Sequence, residues 1–349
     1  EAEATYTYAV ERPKEIHAVQ VTSTDNILEG AEYVIAHIDD ANSKYMVMGN
    51  SHNNNKYIVH SADVAVNADK SITINKEAHG IIKFEPATDG KWYLNVSNSN
   101  KGKGGYVKSL ISKGNNCTIS ETPEHAAEVT FNDEGKAVVK FNENNVTSYL
   151  LVNRQEGQER FSCYKQTGPN TLHPALYALP AEDMAFSVVG PDDAEVSSNI
   201  DINGYKNEAT GNYYTITVSY PKGTALYYKT TSYHMMVNGV DVLKPVVVDG
   251  KEVTPVLGEF NPPPKGEAAA AAASVAAESG MNTAVIGLAS KGDFELRLQD
   301  AAGNASETKS YKIDGNATGV EDIAVDGVED GEAVYYNMQG VRVANPAAG

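Results

Sequence analysis

Cysteine is nearly missing from this sequence: Cys117 and Cys163 are the only two in 349 residues. That scarcity excludes a disulfide-rich scaffold and a cysteine-based zinc site, which needs ligands in closely spaced pairs. For the pair itself two readings stay open, a disulfide closing a loop across 46 positions or two buried free thiols. Long apolar runs are missing too. The blandest stretch, Ala268 to Ala273, is weakly apolar and far short of the ~20 residues a bilayer-crossing helix needs, so membrane insertion is not expected. Positive charge is scarce: 28 Lys and Arg face 46 Asp and Glu, a formal charge of −18 that repels phosphate backbones and anionic headgroups. Nucleic acid is therefore not an expected partner.

The motifs of catalysis are absent as well. No Gly-x-Ser-x-Gly elbow, phosphate-cradling loop or dinucleotide fingerprint occurs, and no cofactor is expected. The eight histidines (positions 17, 37, 52, 60, 79, 125, 173 and 234) are scattered singly, without the i, i+4 pair that puts two rings on one helix face for zinc. Asp201-Ile202-Asn203-Gly204-Tyr205 opens like a calcium loop, but the bidentate Glu due eleven positions after Asp201 is Asn212, so a turn is the better reading. Dense Asp/Gly calcium repeats are lacking. Catalytic and metal sites are thus expected to be none, although a hydrolase built on carboxylates distant in sequence would leave no such trace.

What the sequence does contain is β pattern. From Thr5 to about Leu179, short Val-, Ile-, Tyr- and Thr-rich runs alternate with Gly, Asn, Asp and Ser clusters. Examples are Glu32 to Ala36, Lys44 to Met48, Gly80 to Phe84, Lys91 to Val96, Ala137 to Phe141 and Ser148 to Val152, with Asp89-Gly90 and Glu134-Gly135 as hairpin turns. An Ile/Val-x-Phe strand, an acidic-Gly turn and a Tyr-Leu strand recur at Ile82 to Val96 and Val129 to Val152, with Tyr33 to Met48 as a degenerate copy. Three such units suit a β-trefoil, with a β-sandwich as the other solution. After Pro180, Pro191 and the acidic Asp192 to Glu195, a second set of strands, among them Asn212 to Val218, Ala225 to Lys229 and Phe294 to Leu298, fits an immunoglobulin-like sandwich. It is interrupted by an alanine-rich helical insertion over Gly266 to Ser279. The expected fold class is all-β, organised as an N-terminal extension (1–18), a β-trefoil-like domain (19–180), an Ig-like sandwich (181–314) and an acidic linker with a hairpin tail (315–349).

Several stretches resemble known modules. Val21 to Ile35, Arg160 to Lys165 and Ala175 to Leu179 together resemble a non-catalytic β module of secreted proteins in gut and rumen Bacteroidetes. Gly223 to Thr231 is similar to a strand of chitobiase-like sandwich modules, and Leu298 to Ser306 to the Asp-x-x-Gly-Asn hairpin of bacterial Ig-like domains. Val334 to Val343 resembles the opening of the C-terminal sorting domain of type IX secretion substrates, without the further strand pair of that family. These resemblances imply a protein that is secreted or held at the outer cell surface. Glu1-Ala2-Glu3-Ala4 is similar to the remnant of a yeast secretion leader.

Twenty tyrosines and one tryptophan complete the inventory, with adjacent pairs at Trp92-Tyr93, Tyr213-Tyr214, Tyr227-Tyr228 and Tyr335-Tyr336. Neighbours on a strand face opposite sides, so each pair places one ring inward and one outward. Outward rings offer apolar faces with polar tips for a sugar or a protein, against the plain alternative that tyrosine favours half-buried pleats. Trp92, Tyr93 and Tyr106 are the expected ligand contacts. The functional expectation is a non-catalytic accessory protein engaging glycan or a surface partner. The alternative is a filament or layer subunit that self-assembles by strand addition.

Overall fold

The computed structural model describes residues 15–61, 64–99, 104–206, 213–232, 234–248, 250–264, 280–315 and 317, and the backbone of 335–336 and 342–343. The alanine-rich insertion and the extension before Glu15 lie outside the described residues. The chain is all-β, as expected: short, mostly antiparallel strands joined by turns, with 3-10 turns such as Thr24–Asn26 as the only helical segments among the described residues.

The first sixteen strands are β1 (Ile16–Val21), β2 (Glu32–Asp39), β3 (Lys44–Asn53), β4 (Tyr57–Ser61), β5 (Ala65–Val66), β6 (Ile72–Ile74), β7 (Ile82–Pro86), β8 (Trp92–Val96), β9 (Tyr106–Ser109), β10 (Cys117–Ser120), β11 (Ala127–Phe131), β12 (Ala137–Glu143), β13 (Val146–Asn153), β14 (Arg160–Tyr164), β15 (Thr171–Leu172) and β16 (Ala175–Ala178). Consecutive strands pair along β7 to β10 and along β11 to β14, as β2 to β4 do. The hydrogen bonding then closes on itself. Glu32 and Tyr33 of β2 pair with Lys83 and Ile82 of β7, Trp92 of β8 with Ala127 of β11, and Phe161 of β14 with Ile58 of β4.

β2 shows why its sequence reads as an unbroken apolar run. Tyr33 and Ile35 enter the main core with Phe84, Leu94, Phe141 and Phe161, whereas Val34 and Ala36 enter a second core with Ile72, Ile81 and Tyr177. A strand buried on both faces loses the polar half of its alternation. The second core is roofed by β1, which pairs with β16 on one edge and β6 on the other.

The remaining strands are β17 (Ser187–Val189), β18 (Asn199–Asp201), β19 (Tyr214–Pro221), β20 (Thr224–Thr230), β21 (Met235–Val237), β22 (Val240–Asp241), β23 (Val246–Val248), β24 (Lys251–Val253), β25 (Met281–Leu288), β26 (Gly292–Asp300) and β27 (Lys309–Asp314). Sheet β17-β19-β25-β21-β22 faces sheet β18-β27-β26-β20 across one core, which is a β-sandwich. Here the alternation is regular. On β20, Leu226 and Tyr228 are buried and Tyr227 and Lys229 are not, and the Tyr228 hydroxyl donates to Val242 O at 2.9 Å. The last two strands, β28 (Tyr335–Tyr336) and β29 (Arg342–Val343), form a two-stranded hairpin.

Candidate functional site

The two halves meet through main chain and a buried carboxylate. Gly223 N donates to Glu29 O at 2.7 Å, beside a Glu29–Lys222 ion pair at 2.6 Å. Gly30 and Gly223 both have positive φ, and a Cβ on Gly30 would stand 2.7 Å from Lys222 Cβ. Asp300, at the end of β26, accepts from Asn304 N and Asn304 Nδ2 at 2.8 Å each, and from Ala181 N at 3.0 Å. The hairpin that it caps pushes Ala301 into the N-terminal core.

Beside this contact lies a cleft of about 760 Å³ with walls from both halves. The N-terminal wall is Trp92 and the loop Thr24 to Glu29; the opposite wall includes Tyr220, Tyr227, Val247 and Pro262 to Pro264. The N-terminal wall is braced from the core outward. Tyr33 meets Phe84 edge-on at 5.1 Å, and Phe84 meets Trp92 edge-on at 6.1 Å. The buried Tyr33 hydroxyl donates to Asn26 O and accepts from Leu28 N, both at 2.7 Å, which fixes the loop. Burial holds the phenols of Tyr33, Tyr220 and Tyr227 above their usual range, with the Asp25 carboxylate adding to the rise at Tyr227. Both cleft tyrosines therefore stay protonated at neutral pH and can donate as well as accept. Asp25, Asn238, Asn282, Thr283 and the Glu29–Lys222 pair add polar groups to a lining that is mostly apolar, the composition of a small-molecule or sugar site.

The expected contact residues do not form one site. Trp92 lines the cleft, while Tyr93 and Tyr106, half-buried, meet edge-on at 6.3 Å on the other face of β8. There the Tyr106 hydroxyl donates to Glu85 Oε2 at 2.9 Å and Asn95 Nδ2 donates to Glu85 Oε1 at 2.6 Å. Tyr220, Tyr227 and the Leu28 loop were not singled out from sequence. Tyr227 alone carried a signal, as the outward member of an adjacent pair.

Cys117 and Cys163 are free thiols here, and both are fully buried. Asp201 closes a turn by accepting from Asn203 N at 2.9 Å. Among the described residues no three His, Cys, Asp or Glu side chains gather as metal ligands, and no helix is long and apolar enough to cross a membrane.

No family model and no curated protein matches this chain. Among solved structures, it is similar at a TM-score of 0.20 and 10% identity to the extracellular domain of a putative hybrid two-component system from B. thetaiotaomicron. That match covers 84% of this chain and 39% of the other.

Proposed function

We propose that this chain is an extracellular, non-catalytic binding protein that holds a glycan, or a surface partner bearing one, in the cleft between its two halves. The observation that carries the reading is the cleft itself, where the one tryptophan of the sequence stands opposite Tyr227 and Tyr220. Indole and phenol faces stack on the apolar face of a sugar ring, and the polar groups around them suit hydroxyls. The export-like tail of the sequence supports the extracellular placement. The N-terminal half is read as β-trefoil-like, which its three runs of sequentially paired strands support, with the division into domains near residue 180. Tyr93 and Tyr106, with Glu85 between them, are retained as a secondary contact surface.

Because Trp92 is the only tryptophan, its fluorescence reports on the cleft directly. A glycan array should yield binders that shift this emission, and Trp92→Ala should weaken their affinity at least roughly 10-fold, the loss expected on deleting an aromatic anchor. An array blank at high protein concentration, or unchanged affinity in Trp92→Ala, would sink the reading.

A second reading, self-assembly by strand addition, is favoured by the β28–β29 hairpin, since an isolated two-stranded hairpin is barely stable in water. Light scattering on the whole chain and on one ending at Asp314 separates the two. Assembly that is lost on truncation supports this reading, and two monomers remove it.

A further inference from the structure

Three chain segments far apart in sequence meet around the two thiols. Lys56 O, at the start of β4, accepts from Cys117 N at 3.1 Å and lies 3.1 Å from Ser162 Oγ. That same hydroxyl is 2.7 Å from Asn115 O, and Cys117 Sγ donates to Phe161 O at 3.6 Å. β10 and β14 are thereby tied to one carbonyl, and Cys117 Sγ rests against the carbonyl two residues before Cys163, with both thiols inside the main core. Two cysteines held on strands this close need little backbone movement to be joined.

We propose that Cys117 and Cys163 are a redox-convertible pair that a disulfide-bearing oxidant, small-molecule or protein, closes into an intramolecular bond stapling β10 to β14. The chemistry is thiol–disulfide exchange. The Cys117 thiolate attacks one sulfur of the oxidant and releases the other as a thiolate. Cys163, having given up its proton, then attacks Cys117 Sγ in the mixed disulfide and displaces the remaining half. Two protons and two electrons pass from the pair to the oxidant, which leaves as two thiols.

Burial opposes ionisation at Cys117, but hydrogen bonds from Cys163, Ser162 and the backbone of Ile58 and Cys163 outweigh it, so its thiol sits below the usual range. Burial pushes the Cys163 thiol well up. Neither sulfur reaches solvent, so exchange requires the strands to part, either during folding in an oxidising compartment or in a transient opening.

The test uses the whole chain, purified reduced and equilibrated with oxidised glutathione in urea at the foot of its unfolding transition, then returned to buffer. The expected product has lost two hydrogens in mass, yields a Cys117–Cys163 linked peptide and reverts with dithiothreitol. A bond closing a loop of this length should raise the melting temperature by roughly 10 °C. Two alkylatable thiols at equilibrium, glutathione adducts on both sulfurs, or disulfide-linked dimers as end product would each overturn the proposal. So would a linked pair that melts no higher than the reduced chain, because the bond would then strain the native packing. A Cys163→Ser chain, treated in the same way, should stop at a glutathione adduct on Cys117.

Discussion

Tyr33 shows how one side chain connects core to site. Its ring is buried among the residues that fill the main core, while its hydroxyl, at the far end, holds the loop that walls the cleft. A few residues along the same strand, His37 is buried with no hydrogen-bond partner at Nε2. Burial holds its pKa below the usual value; Asp39 works the other way, and Arg154, Lys136 and Lys44 reinforce the drop. His173 is lowered by burial as well. The unfolded chain therefore binds these protons more readily than the folded one, and stability must fall as pH drops through about 6.5, levelling off below the folded pKa values. Paired carboxylates act in a lower window. Asp39, held down chiefly by the Asn42 amide, and Glu159, held down by backbone amides and Lys44, lose their contribution only below about pH 4. Urea midpoints measured from pH 7.5 to 5 should show the upper slope, and His37→Gln should reduce it. An unchanged slope in that variant would remove His37 from the account.

At the scale of elements, the strands were legible where polar and apolar positions alternate or β-branched runs end at turn residues. Ala225 to Lys229, Phe294 to Leu298 and Ala137 to Phe141 lie within observed strands, and Tyr227-Tyr228 divides inward and outward as alternation requires. The hairpins at Asp89-Gly90 and Glu134-Gly135 pair β7 with β8 and β11 with β12 as read, but which distant strands join was not legible, because those joins are short and non-local: one residue pair links β8 to β11 and one links β14 to β4. The parallel pairing of β18 with β27 likewise spans most of the sandwich. The Asp300 hairpin is intermediate. Its Asp-x-x-Gly-Asn pattern was visible, but its second use, accepting from Ala181 N, was not. Asp300→Ala leaves three donors without their acceptor in a buried site and should cost about 3 kcal/mol. Chemical denaturation of the whole chain measures this, and a loss under about 1 kcal/mol would mean that water replaces the carboxylate.

For the whole molecule, the cleft exists only because the halves approach within the width of a glycine. Leu28, Trp92, Tyr227 and Pro262 are spread over more than half the chain, and no local pattern announces that they share a wall. The loop 28–31 and the turn 221–224 pass so closely that Gly30, at φ +86°, faces Lys222 Cβ, and Gly223, at φ +89°, faces the Ala31 backbone. Any side chain at either position meets both backbone strain and an occupied space. Gly30→Val should therefore break the Gly223–Glu29 hydrogen bond and the Glu29–Lys222 pair together, letting the halves separate and Ala301 leave the N-terminal core while the rest of each core keeps its packing. The expected signature is a larger radius of gyration in small-angle scattering and loss of the ligand-induced Trp92 shift, with β content unchanged by circular dichroism. Breaking only the ion pair, with Lys222→Ala, should do much less, because a half-exposed pair contributes about 0–1 kcal/mol while the main-chain contact survives. If both variants bind ligand as the parent does, the cleft is not the site, and the Tyr93–Tyr106 face becomes the surface to substitute.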